Sequence, residues 1–375
     1  MPGYTIWPLL VCLLLCSTMG RAQVAPVDAQ ATPETVNLYH HLQQMLSVGI
    51  MFGHQDDLAY GVGWKYVDGK SDVREVTGDY PAVYGWELGR LELDHPVNID
   101  SVPFDKMRQY IREAYDRGAV ITISWHLNNP LTGGTAWQPA PGTVASILPG
   151  AEKNALYKSW LDRVAGFLQS LRGPRGELIP VLFRIFHELN GSWFWWGGKN
   201  CEPEELKQLW HFTVEYLRDQ KNVHNLLYAF NTDRFASREE YLERYPGDEW
   251  VDLIGFDIYQ GYAVAQNEKF MNDLDKSLST LDSIATERRK IPALTEFGYN
   301  GLPDSSWWTR VFLPVIQRHS ISYALAWRNA GYRANGRYEF YVPYPGQSSA
   351  ADFASFHDSP AMIFQRKLTS YKIYQ

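Results

Sequence analysis

The feature that most limits how this chain can fold is a succession of eight short runs rich in β-branched and aromatic residues. They occupy 50–55, 81–89, 119–126, 179–189, 226–233, 251–259, 291–298 and 322–329. Several, such as Val181-Leu182-Phe183 and Ala324-Leu325-Ala326-Trp327, are apolar without a break, as expected of parallel strands covered on both faces. Amphipathic stretches at 104–117, 154–172, 203–219, 270–289 and 305–319 lie between most of them and predict helices. Pro203 followed by Glu204 and Glu205 is a good helix opening: proline is tolerated in the first turn, and carboxylates favour the positive end of the dipole. Repeated strand–helix units and a count of eight predict an α/β fold of the (β/α)8 TIM-barrel type. A doubly wound open sheet is the alternative, but no glycine-rich phosphate loop follows any strand. No repeat or long linker divides the chain, so one domain is expected.

A barrel of this kind carries its chemistry at the C-terminal ends of the strands. Polar and aromatic residues collect there: His54 and Asp56, Glu87 and Arg90, Trp125, His126 and Asn128, His187, Glu188 and Asn190, Asn231 and Asp233, Asp257 and Tyr259, Glu296, and Trp327, Arg328 and Asn329. Turn chemistry alone accounts for Gly, Pro, Asn and Asp at such positions, not for Trp, His and Glu. Glu188 and Glu296 each follow a hydrophobic run, where a charge is costly unless it is paired or opens to the barrel mouth. Strands four and seven face each other across a closed barrel. Two opposed carboxyls are what retaining glycoside cleavage needs, one protonating the leaving oxygen and the other attacking the anomeric carbon.

Composition narrows the partner. A formal charge of −7 argues against nucleic acid, which is held mainly by Lys and Arg on phosphates. Fourteen Trp and twenty-three Tyr suit a sugar-binding surface, because C–H faces of sugars need flat apolar partners. No stretch is long enough for a transmembrane segment; the apolar run Ile6 to Leu15 has signal-peptide length. Residues 1–22 are expected to be a signal peptide cleaved before Gln23, leaving 23–375 as the catalytic domain of an exported protein. Lipoprotein anchoring through Cys16 is the rival, disfavoured by the bulky Leu15. Without the leader only Cys201 remains, so no internal disulfide is expected, and a monomer is.

The run His187-Glu188-Leu189-Asn190-Gly191-Ser192-Trp193-Phe194-Trp195-Trp196-Gly197 resembles the acid/base motif of glycoside hydrolase family 26 β-mannanases, and Thr295-Glu296-Phe297-Gly298 resembles their nucleophile motif. Gly255-Phe256-Asp257-Ile258-Tyr259, Trp125-His126 and Gly53-His54-Gln55 are similar to that family's other strand ends, in the same order. The resemblance implies that Glu188 is the acid/base, Glu296 the nucleophile and Tyr259 the residue that orients it. It also implies that His126, His187, Trp193, Trp327 and Arg328 bind the sugar. The implied activity is hydrolysis of β-1,4-mannosidic linkages in mannan, glucomannan or galactomannan by double displacement, with no cofactor and no metal; endo and mannobiose-releasing exo action both stay open.

Three other readings are weighed. The same fold and mechanism would serve on mixed-linkage β-glucan or β-1,3-xylan. A non-catalytic glycan-binding barrel would be expected to have lost one carboxylate. A metal-dependent hydrolase would use His54, His126 and His187, but the chain has no His-x-His or His-Glu-x-x-His pattern.

Overall fold

The computed structural model describes residues 1, 3, 25–261, 263–333 and 336–375; the expected leader therefore falls almost entirely outside the described residues. Eight parallel strands form the barrel: β1 (Ile50–Gln55), β2 (Val83–Glu87), β3 (Val120–Ser124), β4 (Val181–Arg184), β5 (Leu226–Thr232), β6 (Leu253–Tyr259), β7 (Ile291–Gly298) and β8 (Tyr323–Ala326). Each pairs with the next, and β8 pairs with β1 from Met51 against Tyr323 to His54 against Ala326, which closes the sheet. The principal helices are α1 (Pro33–Met45), α2 (Phe104–Asp116), α3 (Asn154–Ser170), α4 (Pro203–Glu215) and α5 (Asn267–Arg288). Pro203 does open α4, within a capping box formed by Glu202 and Glu205. Among the described residues no helix is long and apolar enough to cross a membrane.

The unbroken apolar runs divide by the two-residue period of a strand. Met51, Val83, Val120, Leu182, Leu227, Ala229, Leu253, Ile291, Ala293, Tyr323 and Leu325 form one buried cluster fed by all eight strands. Their neighbours Phe52, Tyr84, Ile121, Val181, Phe183, Tyr228 and Leu294 belong to a second cluster with the surrounding helices. Leu38, Tyr39, Leu42 and Met45 of α1 join the interior cluster, so this helix, before the first strand, covers the barrel's N-terminal end.

The regular helix expected over 203–219 ends at Glu215, before a π-turn over Tyr216–Gln220, and two further expectations need correction. The stretch 305–319 is not one α-helix: a π-turn over Trp308–Phe312 precedes a short helix, Leu313–Ile316. Pro314 has no N–H to continue a regular ladder, which fits a slipped bonding pattern beside it. The fourth run does not continue as strand to residue 189. β4 stops at Arg184, and the chain then coils with Phe186 at φ 51° and Glu188 at φ 50°.

Candidate active site

That coil places Glu188. A left-handed conformation costs a non-glycine residue on the order of 1–3 kcal/mol and persists only where surroundings fix it. Here Trp196 Nε1 donates to the His187 carbonyl at 3.0 Å, and the Glu188 and Leu189 carbonyls accept from the N–H groups of Gly191 (2.9 Å) and Gly198 (2.8 Å). A different irregularity places Glu296. Between β6 and β7 the register shifts, so that consecutive residues Phe256 and Asp257 pair with Leu294 and Glu296. Ile291 and Ala293 point into the barrel, and regular alternation would send Glu296 to the helix side. The extra residue, Thr295, turns Glu296 inward, which is how a bulge re-aims a side chain. Gly255 makes room: a Cβ there would lie 2.6 Å from Thr295 Cγ2 and 2.8 Å from the Ala293 carbonyl.

The two carboxyls meet at the barrel mouth. Oxygens of Glu188, Asp257 and Glu296 all lie within 4.8 Å of one another. Both oxygens of Glu296 accept hydrogen bonds, Oε1 from Arg184 Nη2 at 2.5 Å and Oε2 from the Tyr259 hydroxyl at 2.6 Å. Burial, reinforced by the Glu296 charge, holds the Tyr259 hydroxyl well above its usual range, so it stays a donor. Arg184 is buried and also lies 3.5 Å from Asp257. Asp257 accepts from Asn231 (2.9 Å) and Thr295 (2.7 Å), and burial beside Glu296 pushes it well above the carboxylate range. Three carboxyls in this arrangement could hold a cation, but Arg184 already supplies positive charge among them.

Glu188 has different company. Trp193 Nε1 donates to its Oε2 at 2.6 Å, which favours the charged form. Burial, the Glu296 charge and Asp233 outweigh that bond and push the Glu188 carboxyl up to about 8. One site thus holds a carboxyl that keeps its proton near neutrality and a carboxylate with both oxygens bonded. That asymmetry suits a proton donor and a nucleophile.

To one side a pocket of about 410 Å³ is lined by His126, Trp137, Trp327 and Arg328 among others. Trp137, 48 % exposed, stacks on His126 with ring centroids 5.0 Å apart. Arg328 is fixed by ion pairs with Asp100 and, at 3.0 Å, Glu339. Of the eight site residues expected from the sequence, His126, Trp327 and Arg328 line this pocket, Glu188, Glu296 and Tyr259 meet at the barrel mouth, Trp193 is exposed beside Glu188, and His187 is buried against His126. His54 bonds Asp57 through Nδ1 at 2.6 Å and is not among the residues that line this pocket. Sequence reasoning missed Arg184, Trp137 and Asp100 as members of the site. Arg184, ending an apolar run, carried a usable signal, since a buried guanidinium requires a carboxylate partner. Trp137 and Asp100 sit in loops whose course no periodicity reveals.

Comparison with known proteins agrees with the geometry. The pattern defining glycosyl hydrolase family 26 matches residues 27–296. A mannan endo-1,4-β-mannosidase of Bifidobacterium adolescentis is 33 % identical over 358 residues, covering 91 % of this chain and 35 % of its own length. The chain thus spans about a third of that relative. A mannan endo-1,4-β-mannosidase of Bacillus subtilis is 27 % identical over 282 residues, 70 % of this chain and 75 % of its own. Among solved structures, a GH26 β-mannanase of Bacteroides ovatus superposes with a TM-score of 0.87 at 45 % identity, covering 92 % of this chain and 98 % of that one. The catalytic domain of an endo-β-1,4-mannanase from Bacillus sp. JAMB-750 gives 0.86 at 33 % identity, covering 94 % and 97 %.

Proposed function

The chain belongs to glycosyl hydrolase family 26, and from that premise we propose that it hydrolyses β-1,4-mannosidic linkages in mannan, glucomannan or galactomannan with retention of configuration. The observation that carries the retaining mechanism is the closeness of the carboxyls: one oxygen of Glu188 and one of Glu296 lie within 4.8 Å of each other. Retaining enzymes keep their carboxyls roughly 5–5.5 Å apart, whereas inverting ones leave about 6.5–9.5 Å for a water.

In the proposed mechanism Glu296 attacks the anomeric carbon from one face while Glu188 gives its proton to the glycosidic oxygen. The leaving sugar departs and a glycosyl ester on Glu296 remains. Glu188, now ionised, takes a proton from water, which attacks the anomeric carbon, breaks its bond to Glu296 and restores both groups. Arg184 and Tyr259 hold Glu296 by its two oxygens and keep it aimed. Trp193 offers a ring face beside Glu188 for the leaving or reacting sugar. His126, His187, Trp327 and Arg328 take the glycone on the pocket side. With these assignments go export after removal of residues 1–22, a single catalytic domain over 23–375, and a monomer acting on a neutral polysaccharide.

Proton NMR of mannan digestion tests the function. The account predicts new reducing ends that appear first as the β-anomer; α-anomer first contradicts the mechanism. Hydrolysis of mixed-linkage β-glucan or β-1,3-xylan with mannan untouched contradicts the substrate.

A further inference from the structure

Glu87 ends β2 beneath the pocket and is fully buried. Its carboxylate accepts four hydrogen bonds, from the N–H groups of Gly89 (2.5 Å) and His126 (2.7 Å), from the Ser124 hydroxyl (2.7 Å) and from His126 Nδ1 (2.7 Å). These bonds, with His126 beside it, offset burial and hold Glu87 below the usual carboxylate range. An ionised carboxylate only accepts, so His126 carries hydrogen on Nδ1. Where that is the one hydrogen His126 carries, its Nε2 is bare, and that atom faces His187 Nε2 at 3.0 Å. The hydrogen between the two nitrogens must come from His187. His187 is accordingly the Nε2–H tautomer, with a bare Nδ1 that is buried and has no hydrogen-bond partner. Burial, His126 and Arg184 hold His187 well below the ordinary histidine range, which keeps it neutral.

We propose that Glu87 is a positioning residue for glycone recognition: it fixes the hydrogen of His126 on Nδ1 and so sets the His126–His187 pair as one acceptor and one donor for a single sugar hydroxyl. A hydroxyl is both donor and acceptor. It can replace the direct N–H···N contact by donating to His126 Nε2 and accepting from His187 Nε2–H. A carboxylate or an ammonium satisfies only one of the two nitrogens, so the pair selects a neutral polyol. This inference rests on the proposed roles of His126 and His187 at the sugar, and it adds a residue that touches no sugar itself.

Glu87→Gln is the decisive variant. The amide keeps the volume but can place an N–H against His126 Nδ1, which drives the His126 hydrogen to Nε2 and sets two donors against each other. Nitrogen-15 spectra of the imidazoles in the wild-type protein should show His126 protonated on Nδ1 and His187 on Nε2. Glu87→Gln should reverse His126, and Glu87→Asp should keep the wild-type pattern. On an aryl β-mannobioside, kcat/KM should fall on the order of ten- to a hundredfold in Glu87→Gln, mainly through KM, with recovery in Glu87→Asp. Wild-type His126 protonated on Nε2 overturns the proposal, even if the Gln variant does not fold. Unchanged tautomers in a folded Gln variant overturn it too, whatever happens to activity. If the tautomers reverse and His187→Ala leaves KM unchanged, the sugar-contact reading fails while the fixing of the tautomer by Glu87 stands.

Discussion

Glu188 and Glu296 are the same residue type at the same barrel mouth, and their neighbours set them apart. With its carboxyl pushed up to about 8, Glu188 remains protonated across the neutral range. As pH rises through about 8 the proton donor is lost, so kcat/KM should fall about tenfold per pH unit above it. Stability carries the same signature. Between the unperturbed value of 4.5 and about 8, the unfolded chain has released this proton while the folded protein keeps it. The folded state therefore binds more protons over that window, and stability declines as pH rises. Glu188→Gln should flatten the decline; an unchanged slope in denaturant titrations between pH 5 and pH 8 contradicts the assignment. At Glu296, the proposed nucleophile, Tyr259→Phe removes one of the two hydrogen bonds its carboxylate accepts. It should lower kcat about ten- to a hundredfold with little change in KM or melting temperature. An undiminished kcat would make Tyr259 a packing residue.

The order of the eight strands was legible in the sequence because a barrel strand buried on both faces leaves a run too apolar to mistake. What the elements do at their ends was not. The expected strand over 179–189 contains the coil at Phe186 and Glu188, and nothing in its β-favouring residues announces two left-handed conformations. The coil is held by Gly191, Trp196 and Gly198 in the loop that follows it, not by the preferences of Phe186 and Glu188 themselves. The bulge at Thr295 is equally silent, although it decides which way Glu296 points. Helix α1 shows a further gap: it is absent from the helices expected from the sequence, and only the assembled barrel shows that its residues cover one end. Leu42 is 1 % exposed within the interior cluster. Leu42→Ala should cost about 2–4 kcal/mol of stability by removing apolar area and leaving a void. It should leave kcat unchanged at 25 °C, since the site lies at the opposite end. A parallel loss of kcat in the folded variant would couple the two ends of the barrel.

Across the whole molecule the fold separates stability from chemistry: apolar layers fill the interior and α1 shuts one end, while the other end gathers charge. Arg184, Asp257, Glu188 and Glu296 come from three strands and one loop, and sequence alone placed only the last two as reacting groups. The central claim is that these two act in turn, Glu188 as acid and then base, Glu296 as nucleophile. The most direct measurement is pre-steady-state release of phenol from an activated aryl β-mannobioside by two variants first shown to be folded by circular dichroism. In Glu188→Ala the nucleophile remains and the leaving group needs no proton, so a burst should precede a slow steady state, and azide should accelerate the second phase. In Glu296→Ala no covalent intermediate can form, so release should be negligible and without a burst. Identical behaviour of the two variants, or exchanged behaviour, contradicts the account.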